Sequence, residues 1–296
     1  MPEQEIPSSL ISVKDVLGLS KPCTLLVEKI SDAVVGICGP WQMKRIATAK
    51  AEVDVINAHK KLQIADIKHR AMIRFEEEQI QYQLNMENTV QKALPIVQDD
   101  AQPNKIEKDW LTHFFDKSRL VSDDQMQDVW ARILAGEANS PGSFSKRSIN
   151  LLSEMSKQDA EMLNVLRQFC WEFDSRLVLV VPEDTSFCNK HGLSLSCLRH
   201  LESLGLISFS DDIFGRDLPN PPDGLVGTYF GRTIHLHHET VEGPDDGWGP
   251  QSISIGSGAL TPSAHELLSL CDSKPVKGMW EHMLEQWNHY SPKEVL

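Results

Sequence analysis

The chain has 296 residues, 41% apolar and 24% charged, with a net charge of −13. That length gives room for about two domains of roughly 150 residues, and the composition is that of an ordinary globular protein, which excludes a fibrous, collagen-like or fully disordered chain. Charge is uneven: residues 41–74 hold eight Lys/Arg against three acids, whereas residues 171–296 hold eight against eighteen. The C-terminal half therefore repels nucleic-acid phosphates, and the basic stretch suits an acidic partner or an anionic lipid surface.

Six cysteines (Cys23, Cys38, Cys170, Cys188, Cys197, Cys271) are scattered without a CxxC pair or a zinc-like cluster. They read as reduced thiols of a cytoplasmic protein. The first residues carry Glu3 and Glu5 and no apolar core, unlike a secretory leader.

Residues 1–40 form the first predicted segment. Within it Leu25–Gly39 is apolar but short, and Glu28, Lys29 and Asp32 interrupt it; a bilayer needs about 20 apolar residues. Leu26, Ile30, Val34 and Ile37 share one side, so an amphipathic helix packed on the protein's own core is expected, with membrane-surface association through residues 25–74 as the alternative. Residues 41–97 follow as a long helix without an internal Gly or Pro up to Pro95. Ile46, Ala49, Val53, Ile56, Ile64, Ile67, Ala71, Phe75, Ile80 and Leu84 make a helical stripe, which Lys60 interrupts. A solvated face of a packed helix is the first reading and a self-associating coiled coil the second.

After a linker of composition QDDAQPN (98–104), residues 105–172 read as a helical domain of four short helices. Ser122 with Gln125 predicts a capping box, followed by Met126, Val129, Trp130, Ile133 and Leu134 inward. Ser143 or Ser145 caps the next helix, and Ser156 with Asp159 starts another. Residues 173–296 change character. RLVLVVP reads as a strand; Ser194 caps a leucine-rich helix ended by Gly205; LISFS, Thr228–His238 and Ser252–Ile255 read as strands; Ser263–Trp287 reads as a closing helical region. That order is the order of a winged-helix unit. The expected fold class is mainly α: a long N-terminal helix, a compact helical domain and a C-terminal α+β winged-helix-like domain.

Candidate chemistry is sparse. Ser143, Ser145, Lys146 and Arg147 gather small residues and two cations at a helix start, where free N–H groups suit an anion; a plain helix cap is the preferred account, because the P-loop spacing fails. His235 and His237 share a strand face, as two imidazoles on one metal would, but a wet edge strand is preferred, so no metal and no cofactor is expected. No GxSxG elbow or Cys–His signature occurs, so the protein is read as not an enzyme. Ser196, Arg199 and His200 are the outward residues of the would-be recognition helix, and their acidic surroundings disfavour nucleic acid and favour a protein partner or a homo-oligomer.

The run SDDQMQDVWARILAGEANSPGSFSKR, with QYQLNMENTVQKAL and DWLTHFFDKSRLV before it, resembles an uncharacterised bacterial family of unknown function. The core of that run is also similar to the abortive-infection alpha family, associated by name with phage exclusion. The resemblance implies a cytosolic bacterial protein with a role in antiviral defence, and carries no catalytic residue. Within the run, Trp130, Gly136, Glu137, Asn139, Pro141 and Gly142 read as structural residues of a joint between two helices.

Overall fold

A computed structural model describes residues 20–34, 64–209, 217–219, 224–236, 252–254, 258–288 and 292–295. The protein is mainly helical with a C-terminal mixed α/β region. It divides into two compact units, Met1–Ile149 and Asn150–Leu296. The sequence boundary at 172/173 follows the change from helical to β-branched patterning, whereas the contacts divide the chain inside a helix.

In the first unit, α1 (Lys21–Ala33) carries Pro22 in its first turn, where the missing N–H costs nothing. Leu26 and Ile30 are fully buried, and α1 lies against the Pro103–Lys105 turn and α3 (Lys108–Ser118). The face considered for a membrane surface is thus packed inside the unit at these positions. Residues 35–63, which include most of the basic stretch, lie outside the described residues.

The helix α2 (Ile64–Ala93) runs for 30 residues, about 45 Å at 1.5 Å per residue. The part of the expected long helix before Ile64 lies outside the described residues. Asn85, Thr89, Val90 and Ala93 of α2 are buried where it packs on α4 (Asp124–Asn139). Lys92 Nζ closes that contact, 2.6 Å from Asp124 Oδ1 and 2.8 Å from Asp128 Oδ1. Burial alone would lower the Lys92 ammonium, but its hydrogen bonds to the two carboxylates outweigh it and hold the group above 10.5. The start of α4 differs from expectation by one residue: Asp123, not Ser122, is the cap, and its carboxylate accepts from Met126 N at 2.9 Å. A carboxylate there also meets the positive end of the helix dipole, an advantage a hydroxyl lacks.

α5 (Lys146–Glu154) crosses the division. The second unit continues with α6 (Lys157–Gln168), begun by the expected Ser156–Asp159 capping box. Residues 170–172, expected to be helical, belong instead to β1 (Cys170–Phe173), which pairs antiparallel with β2 (Arg176–Leu179). Trp171 and Phe173 point inward while Glu172 is exposed, a period of two that is too short to stand out beside the preceding helical pattern. Asp174 and Ser175 both take positive φ, +47° and +62°, as a two-residue hairpin turn requires.

Two short helices, α7 (Thr185–Lys190) and α8 (Leu195–Ser203), come next. Ser194 caps α8 as expected, accepting from Cys197 N at 3.2 Å. Gly205 at φ +77° ends it, and Leu206 N donates back to Leu201 O at 3.0 Å. β3 (Ile207–Phe209) pairs with β8 (Gly258–Leu260), and β4 (Asp217–Pro219) with β7 (Ser252–Ser254). The expected strand over 228–238 is half of a hairpin, β5 (Leu225–Tyr229) and β6 (Arg232–Leu236), because Phe230 and Gly231 take φ +45° and +86° and reverse the chain. The closing helical region is two helices, α9 (Pro262–Leu268) and α10 (Met279–Gln286), followed by β9 (Lys293–Val295).

The main sheet has the order β2-β1-β5-β6-β9, antiparallel throughout. β6 is therefore an inner strand, not the wet edge expected from its histidines. Its core is aromatic: Trp171 stacks on Trp280 at 5.4 Å and Tyr229 at 4.8 Å, and meets Trp287 edge-on at 5.0 Å. Gly227 leaves room for Phe173, whose ring lies 2.5 Å from where a Cβ would stand.

The burial of Leu26 yields a direct expectation. Leu26→Ala leaves a cavity in the first unit and lowers its unfolding free energy by about 2–5 kcal/mol, read by denaturant titration; an unchanged midpoint would place Leu26 outside the core.

Candidate functional site

The stretch from Trp130 to Ser148 carries the residues read as a joint between two helices, and packing and hydrogen bonds account for most of them. Trp130 is fully buried on α4, edge-on to Phe114 at 5.2 Å. Its indole N–H has no partner among the described residues, so it serves as packed volume rather than as a polar handle. Ile133 and Leu134 are fully buried beside it.

Gly136 stands on α4 where a Cβ would come within 2.7 Å of the Phe144 ring. Only glycine lets the returning chain pass so close to the helix. Phe144 is itself pinned: its carbonyl accepts from Trp110 Nε1 at 2.6 Å, and its amide donates to Glu137 Oε2 at 3.0 Å. The other Glu137 oxygen accepts from Gly142 N at 2.7 Å. Glu137 is only 3% exposed. A buried carboxylate with two backbone N–H donors, one on each oxygen, stitches the turn to the end of α4.

Asn139 holds the same corner from the other side. Its Oδ1 accepts from Gln98 N at 2.9 Å and its Nδ2 donates to Ile96 O at 3.3 Å, tying the end of α4 to the segment that follows α2. Gln102 N adds a bond to Ala138 O at 2.8 Å. Pro141 and Gly142 then turn the chain, Gly142 at φ +92°. Gly136, Glu137, Asn139 and Gly142 thus meet at one joint with Phe144, which the sequence pattern had not singled out.

The candidate anion-binding residues lie just beyond it. Ser143 Oγ donates to Ser140 O at 2.6 Å. Ser145 caps α5, its hydroxyl accepting from Ser148 N at 3.2 Å. Both hydroxyls therefore already hold the backbone, while Lys146 and Arg147 are exposed.

The candidates on α8 are also engaged. Arg199 Nη1 lies 2.9 Å from Glu202 Oε2, and Ser196 Oγ lies 2.8 Å from Ser194 Oγ. His200 Nε2 lies 2.5 Å from Asp159 Oδ1, the carboxylate that completes the capping box of α6. Burial alone would raise the Asp159 carboxyl, but the His200 contact and the bonds from Ser156 outweigh it and hold it below 3.8. No spacing rule reveals this pair, because 41 positions separate its members. In β6, His235 is half-buried, while His237 and His238 lie outside the described residues. Among the described residues no group of three His, Cys, Asp or Glu is placed to hold a metal ion.

The joint lies within a recognised domain. The family model described as "Protein of unknown function (DUF2806)" matches residues 69–283, well over half of the chain. The chain belongs to the DUF2806 family. No curated protein and no solved structure matches it. The DUF2806 match takes in the α4 joint, α8 and strands β1, β2, β5 and β6 of the main sheet, while Trp287 and β9 lie beyond it.

The geometry of Glu137 sets a test. Glu137→Gln replaces one acceptor by an NH2 group facing a backbone N–H, and a buried unsatisfied donor costs about 1–3 kcal/mol. Thermal and denaturant unfolding of the variant should show that loss with an unchanged far-UV spectrum; wild-type stability would contradict the structural role.

Proposed function

We propose that the chain is a non-enzymatic interaction or sensor protein of bacterial anti-phage defence, of the abortive-infection kind, acting in the cytoplasm. The observation that carries the non-enzymatic part is the joint itself. Glu137 and Asn139, the polar side chains that most resemble catalytic groups, hold backbone atoms on both of their polar ends. The defence part rests on the similarity of the run Ser122–Arg147 to the abortive-infection alpha family.

The second unit supplies the recognition module in this reading. α6, β2, α7, α8, β3 and β8 follow the winged-helix order of helix, strand, two helices and a strand pair. β2 lies against β8, with Leu179 Cδ2 2.6 Å from where a Gly258 Cβ would stand. Its α8 face carries Arg199 and His200 beside Glu202 and Asp159, and the surrounding 171–296 region is acidic. A duplex needs several phosphate-neutralising cations, so a protein partner suits this face better.

Plating efficiency of diverse phages on cells with and without the gene tests the proposal. Reduced plating for at least one phage is expected; equal plating across all of them would overturn the defence role.

A further inference from the structure

α8 is seated on β3 and α6. Its inner side is apolar, with Cys197, Leu198 and Leu201 buried, and its outer side carries Ser196, Arg199, His200 and Ser203, all exposed. From that outer side His200 Nε2 meets Asp159 Oδ1 of α6 at 2.5 Å. The two partners differ in access: the His200 side chain is 44% exposed and that of Asp159 11%. Asp159 is also engaged at its other oxygen, where Oδ2 accepts from Ser156 N at 2.7 Å and from Ser156 Oγ at 2.8 Å. The cap of α6 thus fixes the carboxylate in place, and the imidazole is the member free to change.

An ionised carboxylate only accepts, so Nε2 donates to it in either state of the ring, and a second proton goes to Nδ1. The neutral ring makes a hydrogen bond onto an anion; the charged ring adds an ion pair to the same contact. A histidine passes between these states between about pH 5 and 8. Asp159 stays an anion through that window, its carboxyl being held below 3.8. The charges around the ring leave Asp159 as the group that faces it. On α8 itself Arg199 and Glu202 meet each other at 2.9 Å. β3 is Ile207, Ser208 and Phe209, without a titratable side chain. On α6, Lys157 and Glu161 stand two positions either side of Asp159, about 200° round the helix, and both are exposed. Arg167 lies over the Phe230 ring at 5.0 Å.

We infer that His200 and Asp159 form a proton-operated latch on the α8 face: the charged imidazole holds α8 against α6, and the neutral one lets that face open more often. The extra hold is present while the ring carries its second proton and is lost as pH rises and that proton leaves. α8 keeps its seat in both states, because Leu198 and Leu201 remain in the core; what changes is local opening. This deepens the reading of α8 as a partner-binding face by giving that face a regulation. It rests on that reading for the use of the latch, not for its existence.

Amide hydrogen exchange of the full chain measures the latch, with rates expressed as protection factors so that the intrinsic effect of pH cancels. The reporter is Leu204 N, which donates to His200 O at 3.0 Å. In the wild type its protection is expected to be about threefold higher at about pH 5.5 than at about pH 8, the size of a partly exposed ion pair. H200Q keeps a donor without a titrating charge, and D159N keeps a capping acceptor without the anion; each should flatten that dependence. The far-UV spectrum and unfolding midpoint report that both variants are folded. A wild-type profile parallel to that of H200Q overturns the latch. The plating assay separates the two ideas: equal plating alongside a pH-dependent Leu204 amide removes the defence reading alone, and reduced plating alongside parallel profiles removes the latch alone.

Discussion

Two hydrogen bonds to one buried carboxylate organise the first unit. Gly142 N and Phe144 N both point at Glu137, so the chain leaving α4 folds back onto α4 itself. That return carries the Phe144 ring over Gly136 and its carbonyl onto Trp110 Nε1, which ties α3 to the same place. Asn139, two residues after Glu137, reaches the segment after α2. Two helices, α3 and α4, and the segment after α2 are therefore fixed at the last turn of α4 and the chain that returns from it. Replacing both partners of such a network by apolar groups is a smaller perturbation than removing one, since one lost partner leaves a buried polar group unsatisfied.

The joint is built from residue types that active sites also use. Buried carboxylates, tight glycines and an amide at a turn are the materials of catalysis, and they are equally the materials of a close-packed joint whose backbone groups are denied water. What separates the two uses is where the polar atoms point. Here they point at backbone N–H and C=O groups of neighbouring elements. The aromatic sheet of the second unit reaches the same end by other means, with Trp171, Tyr229, Trp280 and Trp287 filling the core and Tyr229 Oη bridging Gln168 O and Val276 N at 2.8 Å each. Burial pushes that phenol up to about 12, so it stays a neutral donor and acceptor.

Most helix ends were legible in the sequence, the cap of α4 being off by one residue. The Ser156–Asp159 box, the Ser194 cap and the Gly205 helix end all lie within one turn of the element they terminate. Most of the inward residues of α4 follow from helical period, whereas Ile67, Ala71, Phe75 and Leu84 of the stripe expected on α2 are exposed and Asn85, Thr89, Val90 and Ala93 are the buried ones. Strand boundaries were less legible, because CWEF and the 225–236 hairpin depend on positive-φ turns at Asp174-Ser175 and Phe230-Gly231 that lack the usual Asn-Gly signature. Long-range pairs were not legible at all: Asp159 with His200, Lys92 with Asp124, and Asn139 with Gln98 are brought together only by the packing of whole helices. Of the joint, the sequence showed the glycines and the carboxylate but not Phe144 as the residue they serve.

The account stands on Glu137 as a structural clamp, and amide hydrogen exchange at Phe144 tests that most directly. If the clamp holds, the Phe144 amide exchanges only with the opening of the first unit, as slowly as the amides in the middle of α4. An amide that exchanges near the unprotected rate while the α4 core stays protected would show that the carboxylate is not holding the turn, and the joint would need another explanation.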